Sequence, residues 1–197
     1  MVKPVRRKLT LWLLLFLSAF CLFAFILGNS HWLKRKRYPL VYEDKIRKYA
    51  AEYEVDPFLT ASIIFVESGF NPTAVSVKDA RGLMQILPST GEWVADKIGL
   101  QDYSEKQLFE PETNIQIGCW YMSYLVSQFP DNRELVLAAY NGGIGNVNKW
   151  LRNREYSSDG RQLDYIPFME TRNYVKKVLN TYDIYKEIYP SLEMEDD

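Results

Sequence analysis

Residues 56–72 read DPFLTASIIFVESGFNP, an apolar run that a single carboxylate, Glu67, interrupts just before a Ser-Gly stop. Asp56 followed by Pro57 is the signature of a helix N-cap with proline in the first turn, and Gly69 supplies the end. Counting back from Glu67 at helical spacing reaches Ile63 and Leu59, so the charge continues a stripe made for burial. Burying a carboxylate costs stability unless something compensates. Either Glu67 pairs with a cation such as Arg81 in a structural role, or it lies at the floor of a cleft where a perturbed acid is useful.

Outward from this helix the chain reads as further helices joined by Gly, Pro, Asn and Asp turns. YEDKIRKYAAEYEV puts Ile46, Tyr49, Ala50 and Tyr53 at helical spacing. Ser89 or Thr90 starts a helix that Gly99 stops, and Pro111 opens a long one through ETNIQIGCWYMSYLVSQF. NRELVLAAYNGG and IGNVNKWLRN form a pair broken at Gly142 and Gly143, and a last helix runs from about Glu170 to Tyr189. No alternating run is long enough to build a sheet, although residues 73–86 leave room for a short β-hairpin. The expectation is a mainly α domain over residues 40–190, followed by an acidic tail at 191–197.

The N-terminal part differs in kind. A basic tail, residues 1–8, precedes an uncharged apolar segment, LTLWLLLFLSAFCLFAFIL from Leu9 to Leu27, and a basic linker spans 29–39. At ~1.5 Å per residue the segment is just long enough to cross a hydrocarbon core. It lacks the small-residue cleavage site of a signal peptide, and Phe20 before Cys21 does not suit a lipoprotein signal. Residues 9–28 are therefore expected to be one uncleaved transmembrane helix. Its orientation is not set by charge, because basic residues flank both ends.

Composition removes several function classes. The 197 residues carry 24 basic and 25 acidic side chains, a net charge of -1, with no recurring Lys/Arg stripe, so nucleic acid is not an expected partner. The two cysteines fall in the apolar segment and in IQIGCWYM, where Cys119 reads as a small core residue; the single His31 lies beside the apolar segment. Neither a Cys/His metal set, nor a Ser-His-Asp arrangement, nor a Gly-rich phosphate loop occurs, so no metal and no cofactor is expected. Carboxylates remain as the source of acid-base chemistry. A half-buried Glu67 would have a raised pKa and could serve as a general acid.

Five blocks now stand in order: ESGFNPTAVS (Glu67 to Ser76), ARGLMQILPST (Ala80 to Thr90), NIQIGCWYM (Asn114 to Met122), AAYNGG (Ala138 to Gly143) and ETRNYV (Glu170 to Val175). Together they resemble the soluble-lytic-transglycosylase-like (SLT) domain, family 1 of the lytic transglycosylases, in the lysozyme-like superfamily. The resemblance implies a lysozyme-like helical domain with Glu67 as catalytic acid/base, and it places Ser76, Gln85, Tyr140, Asn141 and Glu170 along the saccharide cleft. From the residues themselves, Ser76 and Gln85 could equally tie their loop together, and Glu170 could serve a helix N-terminus. Gly82 is expected to let backbone approach a sugar. Asn114, Gly118 and Tyr121 share one helical face and read as packing, and Trp93, Trp120 and Trp150 suit either core or sugar stacking. Two departures occur: Lys78-Asp79 precede Ala80 where the family usually has glycine, and Leu87 replaces a frequent methionine.

The resemblance further implies cleavage of the β-1,4 bond between N-acetylmuramic acid and N-acetylglucosamine in peptidoglycan without water, leaving 1,6-anhydromuramic acid ends. A substrate outside the cytoplasmic membrane would place the basic tail in the cytoplasm and the catalytic domain outside. The alternatives are a hydrolase of the same bond resembling goose-type lysozymes, and a non-catalytic peptidoglycan-binding scaffold.

Overall fold

The computed structural model describes residues 4–28 and 30–193, so residues 1–3 of the expected basic tail and 194–197 of the acidic tail lie outside the described residues. The chain divides into two units, Met1–Pro39 and Leu40–Asp197.

The first unit holds α1 (Pro4–Gly28) and α2 (Ser30–Arg37). Apolar side chains of α1 from Leu9 to Ile26 are exposed. Among the described residues no single helix is long and apolar enough to cross a membrane, but the bent pair Leu11–Ile26 with His31–Arg37 meets that requirement together. The stretch expected as a linker is thus largely helical. Its four consecutive cations sit in the last turn of α2, where the helix dipole favours positive charge, and Lys36 lies over the Trp32 ring one turn back, 5.1 Å from its centroid.

The second unit is mainly helical, as expected. It contains α3 (Glu43–Glu52), α4 (Pro57–Ser68), α5 (Pro88–Ile98), α6 (Pro111–Gln128), α7 (Arg133–Gly142), α8 (Ile144–Leu151) and α9 (Met169–Ile188). α4 is the core helix: every residue from Pro57 to Ile64 is buried, as befits a helix apolar all round. It packs against α3 and α9, with Phe58 edge-on to Tyr182 at 6.3 Å and Phe65 edge-on to Tyr185 at 6.1 Å. Asp56 caps it, accepting from the Phe58 and Leu59 amides, and also accepts the Tyr182 hydroxyl at 2.8 Å, which ties the start of α4 to α9. Gly69 closes the helix in the left-handed conformation.

Several boundaries shift from expectation. α5 starts at Pro88, because proline's fixed φ suits the first helical position better than the hydroxyls that follow. Residues 73–86 form no strand; Val75 to Arg81 and Arg81 to Ile86 are isolated bridges in a folded loop. Asp79 adopts φ +61°, the region a glycine would enter freely, and its carboxylate forms a fork-to-fork pair with Arg81 at 3.0 Å twice. The departure from the family's glycine therefore keeps the turn by a different means.

Gly82 corrects another expectation. A side chain there would strike the Leu108 carbonyl at 2.1 Å and Asn114 at 2.4 Å, so it serves protein packing and not approach to a sugar. Asn114 is fully buried; its Oδ1 accepts the Met84 amide at 2.8 Å, and its Nδ2 donates to the Arg81 and Leu108 carbonyls at 3.0 and 2.7 Å. Gly118, one turn on, clears space for the Met84 sulfur. These residues fasten loop 81–86 to α6, and Leu83, Met84 and Ile86 enter the core. Replacing Asn114 with Ala strands one amide and two carbonyls in the interior. Urea unfolding of the variant should show a loss of about 3 kcal/mol or more. Stability equal to the parent's would show that the loop does not depend on this side chain.

Candidate active site

Glu67 occupies the last turn of α4, where the buried stripe of Leu59 and Ile63 emerges beneath a cleft. The cleft is lined by Glu67, Ser76, Val77, Lys78, Ala80, Gln85, Leu87, Tyr140, Asn141 and Glu170. All six residues expected to form a site thus come together, from α4, the 73–87 loop, α7 and the start of α9. Size alone would not have selected it. A hollow of about 520 Å³ between the start of α4, the end of α6 and the start of α7 is larger than the roughly 210 Å³ here. That larger hollow's Asp56 is committed to capping α4 and pairing with Arg133 at 3.4 Å.

The carboxyl of Glu67 is pushed up to about 7. Burial is the main cause, opposed by the Tyr174 hydroxyl and the charge of Lys177, and reinforced weakly by Glu170. The structural alternative for Glu67 is not met, because Arg81 is engaged by Asp79 and by Glu105 at 2.8 Å. An acid held near neutrality can be found in either protonation state at physiological pH, which is what a group that must give and then retrieve a proton requires.

The remaining residues divide by what their polar atoms already do. The Ser76 hydroxyl accepts the amides of Lys78 and Ala80 at 3.2 and 3.0 Å, so it shapes the loop at the cleft's edge. Gln85, at φ +49°, donates its amide to the Ala74 and Gly82 carbonyls, which leaves its Oε1 with no protein partner among the described residues. Tyr140 is half-buried and donates to the Met84 carbonyl at 2.8 Å, so its hydroxyl can only accept from a ligand. The Asn141 side chain has no partner among the described residues. Glu170 is exposed and 3.7 Å from Lys78, and it gives the cleft a second carboxylate.

Sequence reasoning missed Tyr174 and Lys177. With Glu170 they follow i, i+4, i+7 spacing along α9, so all three rise on one face of a helix whose first turn borders the cleft. The spacing was legible; that α9 lies beside the end of α4 was not. The Tyr174 hydroxyl is buried without a protein hydrogen bond of ordinary geometry, yet close enough to Glu67 to hold its carboxyl lower than burial alone would.

The description "Transglycosylase SLT domain" belongs to a family model that matches residues 44–162. The soluble lytic murein transglycosylase of Escherichia coli K12 is 41% identical over 152 residues, covering 76% of this chain and 23% of the relative. Membrane-bound lytic murein transglycosylase C of Edwardsiella ictaluri is 33% identical over 180 residues, covering 75% and 47%. The crystal structure of the 70 kDa soluble lytic transglycosylase of Escherichia coli is similar with a TM-score of 0.71 at 34% identity, over 86% of this chain and 28% of that one. This chain therefore spans about a quarter of the soluble relatives' length. The family model ends before Glu170, whose membership of the cleft is given by geometry. Fold, ordered motifs and matched span agree, and the chain belongs to the transglycosylase SLT domain family.

Proposed function

We propose that this chain is a membrane-anchored peptidoglycan lytic transglycosylase in which Glu67 is both acid and base. The observation that carries the reading is a raised carboxyl at the floor of a cleft whose lining also holds the amides of Gln85 and Asn141 and the hydroxyls of Ser76 and Tyr140. In its protonated form Glu67 gives its proton to the oxygen bridging N-acetylmuramic acid and N-acetylglucosamine, and the bond from that oxygen to muramic C1 breaks. The muramic acid's own N-acetyl oxygen stabilises the cation at C1. Glu67, now a carboxylate, takes the proton of the 6-hydroxyl, whose oxygen closes on C1 to form the 1,6-anhydro ring. Every atom is accounted for with no water consumed.

Gln85 Oε1 and the Tyr140 hydroxyl are both acceptors, suited to hold the N–H of the acetamido group in place, while Asn141 can donate to sugar oxygens. Ser76 and Glu170 bind along the rim. The exposed apolar side chains of α1 and its basic flanks support a membrane anchor over residues 9–28, which meets the requirement for a span together with α2, and residues 40–190 would then lie outside the cytoplasmic membrane.

Glu170 favours a second reading, hydrolysis, because a further carboxylate in the cleft could activate water. Its pairing with Lys78 and its weak effect on Glu67 argue against the role. Mass spectrometry of purified peptidoglycan digested with the full chain decides. Anhydro ends, lighter by one water than reducing ends, are expected; reducing ends alone would defeat the transglycosylase reading. Glu67→Gln should lose about 10²- to 10⁴-fold in rate, and a variant as active as the parent would leave only the binding scaffold or another acid. Because the protonated form starts the reaction, kcat/KM should fall about tenfold per pH unit above about 7.

The same raised carboxyl affects stability. Between its usual 4.5 and about 7 the folded chain holds a proton that the unfolded chain has released, so stability falls as pH rises through this window. Glu67→Gln removes the effect. The variant should match the parent near pH 4.5 and exceed it by about 3 kcal/mol at pH 8 in urea unfolding. A difference independent of pH would show that Glu67 is not a buried acid.

A further inference from the structure

Four aromatic side chains that the chemistry above leaves unused, Trp93, Trp120, Tyr121 and Tyr124, form one half-buried cluster across α5 and α6. Trp93 meets the other three rings edge to face at 5.2, 6.3 and 5.1 Å, and Trp120 and Tyr124 lie parallel at 6.0 Å. The cluster is continuous with the cleft: the Tyr121 ring is 5.6 Å from that of Tyr140, and Leu87, a cleft residue 42% exposed, immediately precedes α5. Trp150, by contrast, is buried against Phe168.

Packing does not account for the cluster's polar edges. Neither indole N–H and neither phenol has a hydrogen bond to protein among the described residues, and none is sealed from solvent. Flat apolar faces beside unclaimed donors match a pyranose, which presents C–H groups on its ring faces and hydroxyl or acetamido groups at its rim. Among the described residues no cation lies over these rings, which disfavours a polyanion as occupant.

Size supplies the remaining argument. The cleft holds roughly 210 Å³, below the ~300–1,000 Å³ typical of sites that enclose a drug-sized ligand, so most of a polymeric substrate must rest on adjoining surface. Resting on the proposed action on glycan strands, we propose that the Trp93, Trp120, Tyr121 and Tyr124 surface is a stacking platform that binds further amino-sugar residues of the strand beyond those at Glu67.

Calorimetric titration of the full-length Glu67→Gln chain with N-acetylglucosamine oligomers of three and six sugars tests this without cleavage. Adding Trp120→Ala should weaken binding of the hexamer about tenfold while the trimer changes less than about twofold. Trp120→Phe should recover most of the loss. Tyr124→Phe keeps the ring and removes only the hydroxyl, so it carries the test even if Trp120→Ala unfolds; it should cost the hexamer about threefold. Equal losses for both oligomers, or hexamer affinity unmoved by either substitution, would overturn the platform. So would a shift in sedimentation of Trp120→Ala without any change in hexamer affinity, which would mark a self-association face. The two readings fail separately. If the parent releases no product from peptidoglycan but the length-dependent loss remains, cleavage falls and the platform stands. If peptidoglycan is cleaved and all variants bind the hexamer alike, the platform falls alone.

Discussion

The carboxamide of Asn114 is the fastening on which the cleft depends. It is one of few polar side chains fully inside the domain, and its three hydrogen bonds all end on backbone near Gly82 and Met84 or on the carbonyl of Leu108. That loop has no sheet to hold it, and its backbone groups would otherwise be buried without partners. Ser68 adds a bond from α4 to the Leu83 carbonyl, and Tyr140 adds one from α7 to the Met84 carbonyl. Three helices thus converge on three loop residues, Arg81, Leu83 and Met84, beside which Gln85 sits in the left-handed conformation. The cleft wall is rigid because its side chains are spent on the backbone rather than on each other.

Glu67 stands at the opposite extreme. It is the next residue back from Ser68, yet the groups that act on it do not neutralise it fully: a buried tyrosine hydroxyl, a lysine acting at a distance and a weakly opposing carboxylate. A closer cation would have stabilised the fold and lowered the carboxyl out of the useful range. In the proposed role of Glu67, function and stability pull the same group in opposite directions, and the core helix α4 is apolar enough to carry the burden.

Much of this was legible in the sequence where the signal is local. Asp56-Pro57, Pro111, Gly99 and Gly142-Gly143 marked helix ends because caps and φ restrictions act within a few residues. Glu67 stood out for the same reason, a charge in an apolar stripe. What escaped needed distance. Gly82 was read as facing a sugar because its crowding comes from Asn114 and Leu108, which no local pattern links to it. Tyr174 was missed because its approach to Glu67 depends on α9 packing against α4. The helical state of residues 30–37 escaped because a run of cations reads as a solvated linker until its one-sided placement at a helix end is seen.

The turn at Asp79 carries a consequence for the chain before it folds. Glycine there would leave the unfolded backbone its widest freedom, all of it surrendered on folding; aspartate narrows the disordered ensemble and so reduces what must be given up. Against this stands the strain of a left-handed non-glycine residue, offset by a surface pair with Arg81 that dissolved ions weaken. The edge of the cleft is thereby made responsive to ionic strength in a way that a glycine turn would never be.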